Sequence, residues 1–474
     1  METVRNAPVR RPETKGRVMK KKIALALFVL VILGLALPVY NLFVHLPANQ
    51  LTGYISQPPL GDVAAILAEK CVVCHSLDAP MPFYAMLPVA KQLMAHDVAT
   101  GAKHVNMTRE ILELTPGTVS EATLAKIEYT TERNSMPPAQ YLIMHWNHVL
   151  GAAEKEAIFA WIQAERAKRY AVAGVEPELL KQAVRPLPEK IETNPAKVAL
   201  GDKLYNDGRL SKDNTISCAS CHDLAKGGTD QAQFSTGVAG QVGDINAPTV
   251  FNSAFNIMQF WDGRAANLEE QADGPPNNPI EMASNWEEIA GKLSQDAEFT
   301  QAFTAVYPEG YKKETLVNAI AEYERTLLTP AAFDKYLRGD QGALSAEQKQ
   351  GYQVFKELGC ATCHSGVILG GASFEVMGLR RDYYADRGNP HTPDFGRFNA
   401  TKNEADRFRL KVPTLRNIEV THPYFHDGST SDLGKAVETM AKYQSGTTLS
   451  ARDRDLIVAF LESLTGEHDG KKLQ

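Results

Sequence analysis

The chain has no cysteine outside three copies of a single pattern, almost nothing that alternates like a strand, and no excess of positive charge beyond its first 22 residues. Each shortage excludes something. Without spare thiols there is no disulfide framework. Without period-two alternation a sheet fold is excluded in favour of a mainly α architecture. Residues 1–22 carry eight basic and two acidic side chains, so the remainder of a chain whose formal net charge is -6 is distinctly acidic. An acidic surface argues against nucleic acid as a partner. A length of 474 residues exceeds one core and implies two to four domains.

What is present begins with the cysteines. All six fall in Cys71-Val72-Val73-Cys74-His75, Cys218-Ala219-Ser220-Cys221-His222 and Cys360-Ala361-Thr362-Cys363-His364. Paired CxxC motifs can bind zinc, but a histidine directly after each pair suits covalent haem. Two thiols bond the vinyl groups while the adjacent imidazole reaches the iron. Three copies that exhaust the cysteines predict three c-type haems.

Ile23 to Tyr40 is an 18-residue uncharged run that continues to Leu46 and follows Lys20, Lys21 and Lys22. That length approaches a membrane span, and the basic flank places the rest of the chain on the far side of the inner membrane. Between the end of that run at Tyr40 and Gln50 there is no small-x-small cleavage site. The reading is therefore a single-pass anchor, not a removed signal peptide, with the catalytic part in the periplasm.

The expected fold is mainly α, with three cytochrome c-like haem domains rich in long loops behind one transmembrane helix. The divisions are a basic leader at 1–22, an anchor at 23–46 and a haem-binding domain at 55–172. A proline-rich linker at 173–195 follows, then haem domains at 196–331 and 332–474. Asp62 is placed to cap a helix before the first motif, and Ser345 with Gln348 forms a capping box before the third. The polar run Ser211 to Asn214 sets the second motif among loops. Ala152 to Tyr170 carries a helical stripe that closes the first module.

A methionine opposite the histidine makes an electron carrier and a vacancy permits chemistry. Met136, in Ser135-Met136-Pro137-Pro138 ahead of the closing helix, is the candidate for the first haem, with His145 and Met144 as alternatives.

From about Lys197 to Glu467 the chain closely resembles the bacterial dihaem cytochrome c peroxidases. The resemblance is carried by Thr215-Ile216-Ser217-Cys218, Asn246-Ala247-Pro248-Thr249, Gln259-Phe260-Trp261-Asp262-Gly263-Arg264, Val412-Pro413-Thr414-Leu415-Arg416-Asn417 and Pro423-Tyr424-Phe425-His426-Asp427-Gly428. With the anchor and the module at Cys71–Trp161, the whole is similar to the three-haem quinol peroxidases. The resemblance implies that the haem at His222 is peroxidatic and that the haem at His364 transfers electrons with Met440 as its sixth ligand. Gln271 and Glu281 match the family's catalytic pair, Trp261 its inter-haem tryptophan, and Asn246, Thr421 and Pro423 its calcium ligands. Peroxide cleavage needs a proton acceptor and a polarising hydrogen bond, which glutamate and glutamine can supply. One departure concerns Ser235-Thr236-Gly237-Val238. Many family members carry a histidine at the last position that blocks the peroxidatic iron, and valine cannot do so.

The leading function is reduction of hydrogen peroxide to water with electrons from quinol or a periplasmic cytochrome c. A dihaem oxidase that matures methylamine dehydrogenase is disfavoured by Met440, because those enzymes use tyrosine there. A non-catalytic electron-transfer cytochrome would have no use for Gln271 and Glu281 beside an open iron. A homodimer is admissible.

Overall fold

The computed structural model describes residues 15–43, 48–57, 60–113, 119–172 and 175–474. Part of the leader and residues 44–46 of the expected anchor lie outside these. The described residues are mainly helical, and their only named strands form two short antiparallel pairs, Phe374–Val376 with Arg409–Lys411 and Glu467–His468 with Lys471–Lys472.

The helix Lys15–Asn41 is long and apolar enough over Met19–Asn41 to cross a membrane, and its apolar side chains are largely exposed. At its C-terminal end Tyr40 meets Phe83 edge-on at 5.4 Å and Asn41 Nδ2 donates to the Met144 carbonyl at 2.9 Å.

The first haem module has its own core, in which Leu67, Ile111, Leu124, Ile158 and Ile162 are buried. The helix Val63–Lys70 enters the first motif, but Asp62 does not cap it. Its own backbone is already helical, and its carboxylate takes the Ser56 hydroxyl at 3.1 Å. The helix Pro88–His104 packs on the motif at Gly101, where any Cβ would fall 2.2 Å from the Cys74 carbonyl oxygen. The closing helix is Ala152–Arg169.

A second core gathers Leu200, Leu204, Ile289, Phe299, Phe303 and Leu316 around the helices Pro195–Tyr205 and Lys313–Glu324. The Cys218 motif lies beyond a loop, as the polar run Ser211 to Asn214 implies. A third core, Phe333, Tyr352, Phe355, Phe460 and Leu461, joins the helices Ala346–Glu357 and Ala451–Glu462. Here the capping box forms, with Gln348 N donating to Ser345 Oγ at 3.1 Å and Ser345 N to Gln348 Oε1 at 3.0 Å.

The stretch read as a linker is built into the molecule. Residues 184–188 are buried, and Arg185 N donates to the Gly366 carbonyl at 3.3 Å. Leu187 N donates to Asp334 Oδ1 at 2.7 Å. Arg185 and Arg166 both reach Glu121, at 2.7 and 2.8 Å, with all three side chains at 2 % exposure or less. An unpaired charge at that depth would cost several kcal/mol, so the triad fixes the strap to the first module.

That module packs against the third core. Arg109 bonds Asp406 and Lys126 bonds Glu375, each at 2.6 Å, while Lys103 Nζ donates to the Gly378 carbonyl at 2.7 Å and Tyr129 OH to the Glu357 carbonyl at 2.9 Å. Burial acts against the Lys126 charge, but the Glu375 carboxylate keeps it protonated.

Candidate active site

The three CxxCH segments share one arrangement. His75 Nδ1 lies 3.0 Å from the Val105 carbonyl oxygen, His222 Nδ1 3.4 Å from that of Gly228, and His364 Nδ1 3.1 Å from that of Leu369. A carbonyl that accepts from Nδ1–H fixes the tautomer and leaves Nε2 for a metal. None of the six cysteines is disulfide-bonded, and burial pushes the thiols of Cys71 and Cys360 up to about 12 and those of Cys74 and Cys363 up to about 11. Buried thiols and neutral imidazoles make a poor anion site and a good seat for a covalently attached, largely apolar ring.

A cavity of about 840 Å³ runs from Cys71, Cys74 and His75 across the module boundary to Cys360, Cys363 and His364. Such a volume suits a large organic cofactor. Met136 and Met440 both line it, whereas His145 and Met144 do not. His145 is committed elsewhere, its Nε2 lying 2.9 Å from Tyr84 OH and its Nδ1 3.1 Å from the Tyr141 carbonyl oxygen. Met440 ends the helix Leu433–Met440, whose N-terminus Asp432 caps through Lys435 N at 3.0 Å.

Trp261 is 9 % exposed and lies in the same cavity wall, with Nε1 donating to the Asn246 carbonyl at 2.9 Å. Its ring meets His426 at 6.2 Å, and His426 Nε2 is 2.6 Å from Asp394 Oδ1. Asn246 commits its amide nitrogen to the carbonyls of Ala232 and Gln233, at 2.9 and 3.2 Å, which turns its oxygen the other way. Thr421 and Pro423 line the cavity beside it, and among the described residues neither carbonyl accepts a hydrogen bond from the backbone. Three uncommitted oxygens suit a hard cation such as calcium.

One tight loop near Cys221 of the second motif carries Glu281. The backbone N–H groups of Glu281, Met282 and Ala283 all point to the Asn278 carbonyl, at 3.2, 3.2 and 2.8 Å. The Asn278 amide then donates to Glu281 Oε1 at 2.7 Å. Glu281 is half-buried, not a solvated surface carboxylate, and burial raises its pKa against the opposing pull of Asn278 and Arg264. Gln271 stands on the helix Leu268–Asn277, and its amide makes no hydrogen bond among the described residues.

Val238 is buried, and its N–H donates to the Glu281 carbonyl at 2.9 Å. Gly237 allows this approach, because a Cβ there would sit 2.1 Å from the Ile280 carbonyl oxygen. The glycine-containing loop is thus pinned to the loop that bears Glu281. Sequence reasoning did not single out Asn278 and quoted Arg264 only as part of a matching stretch, since both act on Glu281 through folded contacts. It also missed His104, which lines the large cavity with a buried, unpartnered Nε2.

Residues 195–342 match the family model described as di-haem cytochrome c peroxidase, and residues 44–164 match that of a haem-binding domain. The chain is 50% identical over 409 residues to the cytochrome c peroxidase Ccp of Escherichia coli (strain K12), spanning 85% of this chain and 87% of that protein. The chain belongs to the di-haem cytochrome c peroxidase family. To the cytochrome c551 peroxidase of Nitrosomonas europaea it is 44% identical over 306 residues, covering 64% of this chain and 90% of the relative. Among solved structures, a MauG-like protein associated with microbial copper homeostasis superposes with a TM-score of 0.53 at 27% identity, over 60% of this chain and 93% of that one. As a di-haem cytochrome c peroxidase relative the chain is a haem-dependent enzyme with c-type haem attachment.

Proposed function

We propose that the chain is a membrane-anchored, three-haem peroxidase that reduces hydrogen peroxide to water in the periplasm, drawing electrons from quinol or a periplasmic cytochrome c. The observation that carries the reading is the cavity shared by the first and third motifs, with Trp261 in its wall on the side of the peroxidatic domain. It supports an electron order from the Cys71 site to the Cys360 site and on to the Cys218 site.

Met136 and Met440 would supply the sixth ligands of the first and third haems. The haem held by Cys218, Cys221 and His222 would supply the iron at which peroxide is reduced. The chain's own part there is acid–base and electrostatic. Glu281, held by Asn278, accepts a proton from one peroxide oxygen and returns it to the other as the O–O bond breaks, and Gln271 donates a hydrogen bond that polarises that bond. Val238, buried beside the Glu281 loop, offers no metal-ligating group and so would not block that iron. Asn246 with the Thr421 and Pro423 carbonyls would hold calcium between the domains.

Two measurements test this. A pyridine haemochrome assay is expected to give three haems per chain, and two would defeat the count. Anaerobic peroxide consumption by the membrane-bound protein, with a quinol against reduced cytochrome c, identifies the donor. Failure with both defeats the peroxidase reading.

A further inference from the structure

The surface of the first module is unlike the rest. Outside the N-terminal helix, twelve large apolar side chains are exposed between residues 55 and 149, against three, Val242, Ile257 and Ile280, in everything described after 172. Two segments hold most of them. On the first, Phe83, Met86, Leu87, Val89 and Leu93 are each 57 % exposed or more. On the second, Ile143, Trp146 and Val149 are 66, 44 and 55 % exposed.

Charge is missing from the same places. Between Asp78 and Asp97 the only Lys, Arg, Asp or Glu is Lys91, and between Arg133 and Glu154 there is none, in a chain that is 22% charged. The two segments meet, because Tyr84 OH lies 2.9 Å from His145 Nε2. They also meet the spanning helix at its C-terminal end, through the Tyr40–Phe83 ring contact and the Asn41 bond to the Met144 carbonyl.

We propose that this face is seated in the bilayer, so that segments 81–93 and 143–149 sink into the headgroup and acyl boundary on the periplasmic side. The inference rests on the reading of residues 23–46 as a retained anchor. Position selects lipid as the occupant. A patch held by side-chain contacts to the last turn of a spanning helix lies at the membrane–water boundary and has no other large apolar phase to face. Its composition agrees, since Trp146 is suited to the interfacial belt and Lys91 can carry its ammonium out to the headgroups along an apolar stem. A docked protein would call for a polar, charged rim around an apolar centre, and these segments have almost no charge.

The test uses the full chain in nanodiscs of phosphatidylcholine carrying a photoactivatable acyl chain, with lipid adducts mapped by peptide mass spectrometry. Adducts on 81–93 and 143–149 as well as on 19–41 are expected. In the double variant Val89→Asp, Leu93→Asp the adducts at 81–93 should be lost while haem content and those on 19–41 persist. Adducts confined to 19–41 overturn the inference and leave the anchor standing. A chain recovered without its first 43 residues and free of lipid overturns both. Segments that stay solvent-accessible until reduced cytochrome c is added would show a protein-docking face, and the lipid seat would be wrong.

Discussion

The second and third haem sites are built alike on the histidine side and oppositely on the other. At His222 and His364 a loop carbonyl sets the ring nitrogen that faces away from the cofactor. In the cavity that His364 lines, a capped helix delivers Met440, whereas near the second motif the Val238 loop is pinned to the loop of a half-buried carboxylate. The difference teaches that a repeated attachment motif says where a haem goes and nothing about what it does. Function is decided by the segment that closes the far side.

The comparison can be broken at several points. Glu281→Gln keeps the shape and removes the proton acceptor, so turnover should fall by roughly two to four orders of magnitude with haem content intact. Near-normal turnover would return Glu281 to a structural role. Val238→His makes the second site resemble a blocked one. If the new imidazole occupies the sixth position nine-tenths of the time, the oxidised enzyme should react with peroxide about tenfold more slowly, with a lag removed by prior reduction. A high-spin ferric signal in the unaltered protein, absent from the variant, would be the matching spectroscopic result.

Asn278→Ala should act more gently. Its amide favours the ionised carboxylate, so its loss should raise the Glu281 pKa and move the acid limb of the pH–rate profile upward, with a several-fold drop in kcat at neutral pH. An unshifted limb would show that Asn278 merely shapes the loop.

The smallest effect concerns Glu324, a carboxyl of the second domain that burial pushes up to about 8. Its folded pKa lies above the unfolded value near 4.5, so the native state keeps a proton that the unfolded chain releases. Stability from this group is full below about pH 4.5, declines as pH rises, and is exhausted above about 8. Glu324→Gln should therefore be near neutral at pH 4 and increasingly stabilising as pH rises to 8, read from thermal melts at the two pH values.

Much of this was legible in the chain. The CxxCH motifs announced c-type haem attachment, and the capping box at Ser345 and the stripe over 152–170 announced helices that form. What stayed hidden depends on contacts distant in sequence. Asp62 reads as a cap but spends its carboxylate on Ser56. Four prolines made 173–195 look like a spacer, although 184–188 are buried between Glu121 on one side and Asp334 and Gly366 on the other. No local pattern announces that Lys126 meets Glu375 or that Asn278 orders Glu281, because such pairs have no period.

The buried triad of Arg166, Glu121 and Arg185 bears on how current would be supplied along the proposed electron order. A donor module on a slack tether delivers charge only as often as it collides with its acceptor, at a rate set by tether length and solvent viscosity. Here the module is soldered in place, so the first and third sites form a fixed junction. The supply should then behave as a wire whose conductance is set by the gap, insensitive to added glycerol.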